Sequence, residues 1–150
     1  MKIFHKKKQS FGIPITDFKD YYAEYVPQLL ARYNFFLPAF LERLASEFLA
    51  SGKCAKFAES DLCEGVTVAQ ATLALNHCMR IVSARYNNSR HIKSALDSDA
   101  LSVSIEVERP CKGCTKVPKN ETYKPGAVPL YPCVDCDQED VCVFWYKINF

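Results

Sequence analysis

Glycine is scarce in this chain. Its five glycines, at positions 12, 52, 65, 113 and 126, are too dispersed to build a loop that cradles a phosphate. No Gly-x-Ser-x-Gly elbow occurs, which removes the sequence signature of the serine hydrolases that use one. There is no low-complexity tract and no apolar run approaching the ~20 residues of a membrane span, so no membrane partner is expected. The basic start Met1 to Ser10 is followed by no continuous apolar segment, because Gly12, Pro14, Thr16, Asp17 and Lys19 interrupt it. No secretory signal is therefore expected, and the chain is assigned to a reducing, cytoplasmic compartment. There the eight cysteines are expected as thiols or metal ligands instead of disulfides. Strong charge of either sign is also lacking: the formal net charge is +2, too little to recruit nucleic acid through the chain as a whole.

What the chain has is an ordinary globular composition, with 49% hydrophobic, 13% aromatic and 24% charged residues, and a concentration of cysteine near its end. Cys111 and Cys114, in Pro-Cys-Lys-Gly-Cys, and Cys133 and Cys136, in Pro-Cys-Val-Asp-Cys, form two Cys-x-x-Cys pairs. Each such turn aims two sulfurs at one point, and Zn²⁺ takes four soft ligands at ~2.3 Å, so the two turns predict one closed structural zinc site. Four thiolates and a divalent ion would bring the net charge from +2 to about zero.

The first hundred residues read as helical. Phe18, Tyr21, Tyr22, Tyr25, Leu29, Leu30 and Tyr33 draw an apolar stripe over 17–34, which Pro27 is expected to break near Tyr25 or Val26. Asn34 can close that helix in the left-handed conformation. Pro38 suits the first turn of a second helix over 37–51, with Phe40, Leu41, Leu44, Phe48 and Leu49 on its buried face and Gly52 as its stop. These two predict an antiparallel hairpin. A short turn within 54–61 precedes a helix that Thr67 caps, running from Val68 to Tyr86. The Asn87-Asn88 pair is expected to end it before one more short helix over 89–96.

At Leu101 the period changes to strict alternation: Leu101, Val103, Ile105 and Val107 on one face, Ser102, Ser104, Glu106 and Glu108 on the other. This predicts a half-buried strand, and the β-branched and aromatic run Val141 to Phe150 predicts a second. Two strands flanking two cysteine turns resemble a zinc ribbon. The resemblance covers residues 101–150 alone and implies a zinc-clamped β-hairpin; ribbons serve as nucleic-acid binders, subunit contacts and plain staples, so it implies no task.

The other cysteines carry weaker patterns. Cys142, six residues after Cys136 in the second strand pattern, could replace one of the four ligands, but it is read as a small core residue and kept outside the site. Cys54, Cys63 and Cys78, with His77, lack a recurrent ligand spacing, and Cys78 belongs to the apolar stripe of its helix.

Enzymatic readings find little support. Pro-Cys-x-x-Cys is half of the zinc deaminase signature, but His5, His77 and His91 are followed two residues on by Lys7, Met79 and Lys93 instead of the glutamate that chemistry needs. A redox Cys-x-x-Cys would open a helix, and neither pair here leads into one. No small-molecule substrate is indicated. A basic stretch has more substance: His77, Arg80, Arg85, Arg90, His91 and Lys93 lie in a segment, 77–96, without one acidic residue. Arg80, Arg85, Arg90 and Lys93 are thus candidate phosphate contacts, while Asp135, Asp137, Glu139 and Asp140 beside the second cysteine turn oppose them. The aromatic load is high; most of it is read as core packing, but Trp145, Tyr146 and Phe150 at the chain end favour a protein interface, with Asp137 and Glu139 giving it an acidic rim.

The expectation is an α+β protein: an N-terminal bundle of three to four helices (1–100) packed as one compact domain on a small antiparallel β element (101–150) clamped by Zn²⁺ at Cys111, Cys114, Cys133 and Cys136. Its expected role is non-catalytic binding of a protein partner or of itself, of a kind that suits a phage or mobile-element accessory or inhibitor protein. Nucleic-acid binding through 77–93 is the alternative, and a cytosolic enzyme stands third.

Overall fold

The computed structural model describes residues 17–114, 121–138 and 141–150. Its class is α+β. Among the described residues, three helices, α1 (Phe18–Ala31), α2 (Pro38–Ser51) and α3 (Val68–Asp97), precede three strands, β1 (Ser102–Val107), β2 (Thr122–Tyr123) and β3 (Phe144–Asn149), with single 3₁₀ turns at Glu59–Asp61 and Pro125–Ala127. None of the described helices is long and apolar enough to cross a membrane. The chain divides within α3 into two compact units, Thr16–Val82 and one containing Ser83–Phe150.

In the first unit, the Asp17 carboxylate accepts from the backbone N–H groups of Lys19 and Asp20 at 3.1 and 3.3 Å, which satisfies two orphan donors at the start of α1. α1 runs through Pro27 without the expected break. Proline removes one backbone donor, but its neighbours Val26 and Leu30 are fully buried, and that packing holds the helix together across the missing bond. Asn34 adopts φ 56°, the left-handed turn its position suggests. α2 then starts at Pro38 and stops at Gly52, whose φ of 73° and N–H bond to Phe48 O (2.9 Å) close the last turn.

Phe40, Leu44 and Phe48 are fully buried on α2, whereas Leu49, expected on the same face, is 53% exposed. One residue further round a helix is 100° of rotation, and it carries Leu49 off the stripe. The start of α1 meets the end of α2, where Tyr22 stands edge-on to Phe48 at 5.6 Å, so the pair is an antiparallel hairpin. Phe36 stacks on Phe40 (4.7 Å) and Phe57 stands edge-on to Phe36 (5.0 Å), closing the following segment over the hairpin. Arg43 secures that closure: its guanidinium lies over the Phe40 ring at 5.1 Å and donates to both oxygens of Asp61 at 3.3 and 2.9 Å. Thr67 and Gln70 then cap α3 reciprocally, Gln70 N–H to Thr67 Oγ1 at 3.2 Å and Thr67 N–H to Gln70 Oε1 at 3.0 Å.

α3 is one helix of 30 residues, about 45 Å long, and the expected stop at Asn87-Asn88 is absent. Asparagine ends helices when its amide competes for local backbone. Here the Asn88 amide is engaged elsewhere, donating to Tyr131 O at 2.7 Å, and Ser89 bonds back to Tyr86 O at 2.6 Å inside the helix. Ile92 and Ala95 carry the buried face onward.

The sheet of the second unit has the order β2-β1-β3, antiparallel throughout. β2 is only two residues long, too short to leave a periodic signal in the sequence. On β1 and β3 the register pairs Val103 with Ile148, Ile105 with Tyr146 and Val107 with Phe144 on one face, and Ser102 with Asn149, Ser104 with Lys147 and Glu106 with Trp145 on the other. Val103, Ile105 and Phe144 are buried, so the alternation within β1 marks the core face, whereas Leu101, expected on that face, precedes the strand and is 75% exposed. Trp145 is the aromatic residue on the polar face and stays half exposed.

Candidate metal centre

Both Cys-x-x-Cys segments close as tight turns, Cys114 N–H bonding Cys111 O at 3.0 Å and Cys136 N–H bonding Cys133 O at 3.1 Å. The two turns meet at Gly113. A Cβ there would stand 3.0 Å from the Asp135 carbonyl oxygen and 3.1 Å from Cys133 Sγ, so one turn passes the other only because this residue has no side chain.

Four sulfurs, those of Cys111, Cys114, Cys136 and Cys142, lie within 4.8 Å of one another, and all four residues are buried. Cys111 Sγ and Cys136 Sγ are 3.8 Å apart. That matches the edge of a tetrahedron whose centre lies ~2.3 Å from each corner, which is about 3.8 Å. Cys133, the fourth ligand expected from the spacing, is half-buried and touches the group through Cys114, its sulfur 3.3 Å from Cys114 Sγ. Five thiols therefore converge. Among the described residues, Cys54, Cys63 and Cys78 with His77 form no comparable group.

Cys142 enters by a route the spacing does not reveal. Val141, just before it, adopts φ 61°, a left-handed conformation that is costly for a β-branched residue. That turn lets the Cys142 N–H donate to Cys136 Sγ at 3.3 Å and puts Cys142 Sγ where it accepts from the Cys111 N–H at 3.1 Å. Arg109, on the approach to the first turn, is also left-handed (φ 48°), and its carbonyl accepts from Gln138 Nε2 at 3.4 Å.

Helix α3 holds the second turn in place. The Arg85 guanidinium donates to Leu130 O at 3.1 Å and Pro132 O at 2.7 Å, and Asn88 takes the intervening Tyr131 carbonyl. Three successive carbonyls leading into Cys133 are thus bound by two helical side chains. The Tyr146 hydroxyl closes the same segment from the sheet, accepting from Tyr131 N–H at 2.8 Å and donating to Pro129 O at 2.9 Å. Tyr131 stacks on Phe144 at 4.7 Å.

Burial pushes the Cys142 thiol up to about 12 and the Cys114 thiol up as well. Burial also acts on Cys111, but backbone N–H groups of Asp137 and Cys114 outweigh it and hold that thiol below its ordinary value. A buried cluster of this kind ionises fully only when a cation compensates the charge. The donor set, all sulfur, could hold a metal ion, which would offset part of the thiolate charge and tie the two turns to the segment leading into β3.

The other candidate residues are scattered. Arg80, Arg90 and Lys93 are exposed, Lys93 pairing with Asp97 at 2.8 Å. Arg85 and Arg90 are five residues apart and so point about 140° away from each other around α3. At the chain end, Trp145 is 49% and Phe150 77% exposed, Asp137 is exposed, and Tyr146 is committed to the bonds just described. Glu139 lies outside the described residues. No protein-family model, curated protein or solved structure matches this chain.

Proposed function

We propose that the C-terminal unit is a zinc-ribbon-like module in which thiolates of the cysteine cluster hold one structural Zn²⁺, and that the protein is a non-catalytic binding protein of a reducing compartment. The buried, mutually close thiols of Cys111, Cys114, Cys136 and Cys142 carry the metal part of this reading. Protein purified under reducing conditions should contain one zinc per chain by elemental analysis and show no visible absorption. Zinc near zero, or iron with the colour of an iron–sulfur cluster, would overturn it.

The binding part rests on the polar face of the sheet, where Trp145 lies half exposed opposite Glu106, and on Phe150 beyond it. A desolvated aromatic anchor is worth ~2 kcal/mol or more at an interface, so an exposed tryptophan among serine, lysine and glutamate fits a protein contact. The acidic Asp137 nearby in sequence favours a basic rim on the partner. Nucleic acid is the weaker alternative, because Arg85 is occupied with backbone carbonyls and would have to abandon them to reach a phosphate. Affinity capture from the native host, with and without nuclease, separates the two. Under the protein-contact reading the partner survives nuclease, and Trp145→Ala weakens capture at least about thirtyfold, equivalent to ~2 kcal/mol, without changing thermal stability. Loss of the partner to nuclease, or to an Arg80→Ala/Arg90→Ala variant, would favour the phosphate-binding surface instead.

A further inference from the structure

A four-coordinate ion has one thiol too many here. Cys111, Cys114 and Cys136 belong both to the pair of turns and to the mutually close buried group; Cys133 and Cys142 each belong to one of these arrangements. The Cys133 sulfur is 3.3 Å from that of Cys114, no further than the ~3.8 Å that separates two ligands of a zinc tetrahedron, so it stands directly beside one of the three shared thiols. Cys142 is no bystander either. Its sulfur already accepts the Cys111 N–H at 3.1 Å, its own N–H bonds Cys136 Sγ at 3.3 Å, and the left-handed Val141 is held in place to put it there.

From this we infer that the five cysteines form one site with three obligatory ligands, Cys111, Cys114 and Cys136, and a fourth position that Cys133 and Cys142 share. The inference rests on the zinc reading above and deepens it. In the loaded protein one thiol then stands beside the ion unbound. When Cys142 is the ligand, the free thiol is Cys133, the more accessible of the two; when Cys133 is the ligand, the free thiol lies buried. Such a site can exchange a ligand without passing through a three-coordinate ion, which opens it to soft competing thiols and to electrophiles at Cys133.

Zinc stoichiometry separates the possibilities. Wild-type protein, Cys133→Ser and Cys142→Ser should each retain one zinc per chain, with Cys142→Ala as a companion that keeps a small apolar side chain in the buried position. The Cys133→Ser/Cys142→Ser double variant and each of Cys111→Ser, Cys114→Ser and Cys136→Ser should lose zinc to a chelator at least tenfold more readily. Zinc lost from Cys133→Ser alone would show that the two turns are the fixed ligand set; zinc lost from both Cys142→Ser and Cys142→Ala would show that the buried four are. Either result overturns the shared position. On the wild-type loaded protein, N-ethylmaleimide should alkylate Cys133, mapped by mass spectrometry, while one zinc per chain remains. Zinc released in step with that modification also overturns it. A wild-type protein without zinc would instead defeat the underlying metal reading.

Discussion

Gly113 shows how a single residue decides whether the cysteine turns can meet. Its missing Cβ is what allows the Asp135 carbonyl and Cys133 Sγ to approach to 3.0 and 3.1 Å of where that atom would lie. Gly113→Ala should therefore separate the turns, destabilising the second unit by about 1–3 kcal/mol, the usual penalty for overpacking a rigid contact. The measurement is the chelator concentration that removes the proposed metal, which should fall, alongside the denaturation midpoint. An alanine variant indistinguishable from wild type in both would mean that the turns do not pack knuckle to knuckle as described. Arg85 illustrates the opposite lesson. Among the basic residues of 77–93 it looks like a phosphate contact, yet its two bonds to Leu130 and Pro132 carbonyls make it a brace for the chain entering Cys133. Charge in a sequence says nothing about which acceptor is nearest in space.

At the scale of elements, the helical hairpin is closed over by the segment that ends in the 3₁₀ turn Glu59–Asp61, and the closure depends on ionised Asp61. The hydrogen bond from Arg43, helped by the N–H of Ala58 at 2.8 Å, holds this carboxyl below the usual carboxylate range. Because the folded value is the lower one, the stabilisation is fully present above the unfolded pKa of about 3.9 and is lost as the pH falls through the folded value. Asp61→Asn should thus melt earlier than wild type at neutral pH, with the gap shrinking towards zero in acid. A difference in melting temperature that persists unchanged at pH ~2 would show that the pair is not its source. α1 and α3 both run on where local rules stop them. Pro27 and Asn88 are tolerated because a neighbour repays each: buried Val26 and Leu30 for the proline, the Tyr131 carbonyl for the asparagine.

For the whole molecule, the proposed metal ties its stabilising effect to one unit. Its ligands come from turns and a strand entry separated by loops, so binding free energy there is folding free energy, while the hairpin has a core of its own in Leu30, Phe40, Leu44 and Phe48. Chelation should strip hydrogen-exchange protection from β1 and β3 first. The amides of α1 and α2 should stay protected, and most of the helical circular dichroism should survive. If protection vanished everywhere at the chelator concentration that removes the proposed metal, the two units would fold as one, and the independence inferred from their separate cores would be wrong.

Local chemistry was legible in the sequence: the Cys-x-x-Cys turns, the Pro38 start and Gly52 stop of α2, the Thr67 cap, and the alternation that marks β1 each depend on groups within about four residues of one another, where backbone geometry leaves few choices. So was the α+β class, since the change of period at Leu101 belongs to the chain itself. Tertiary structure alone decided that Cys142 joins the thiols, that Asn88 and Arg85 serve the loop before Cys133, and that Thr122–Tyr123 adds a third strand. In each case the deciding partner is distant in sequence, as Cys142 is from Cys111 (31 positions) and Asn88 from Tyr131 (43 positions). Which distant group lies within hydrogen-bonding or ligand distance is set by how the elements pack, and no periodicity along the chain encodes it.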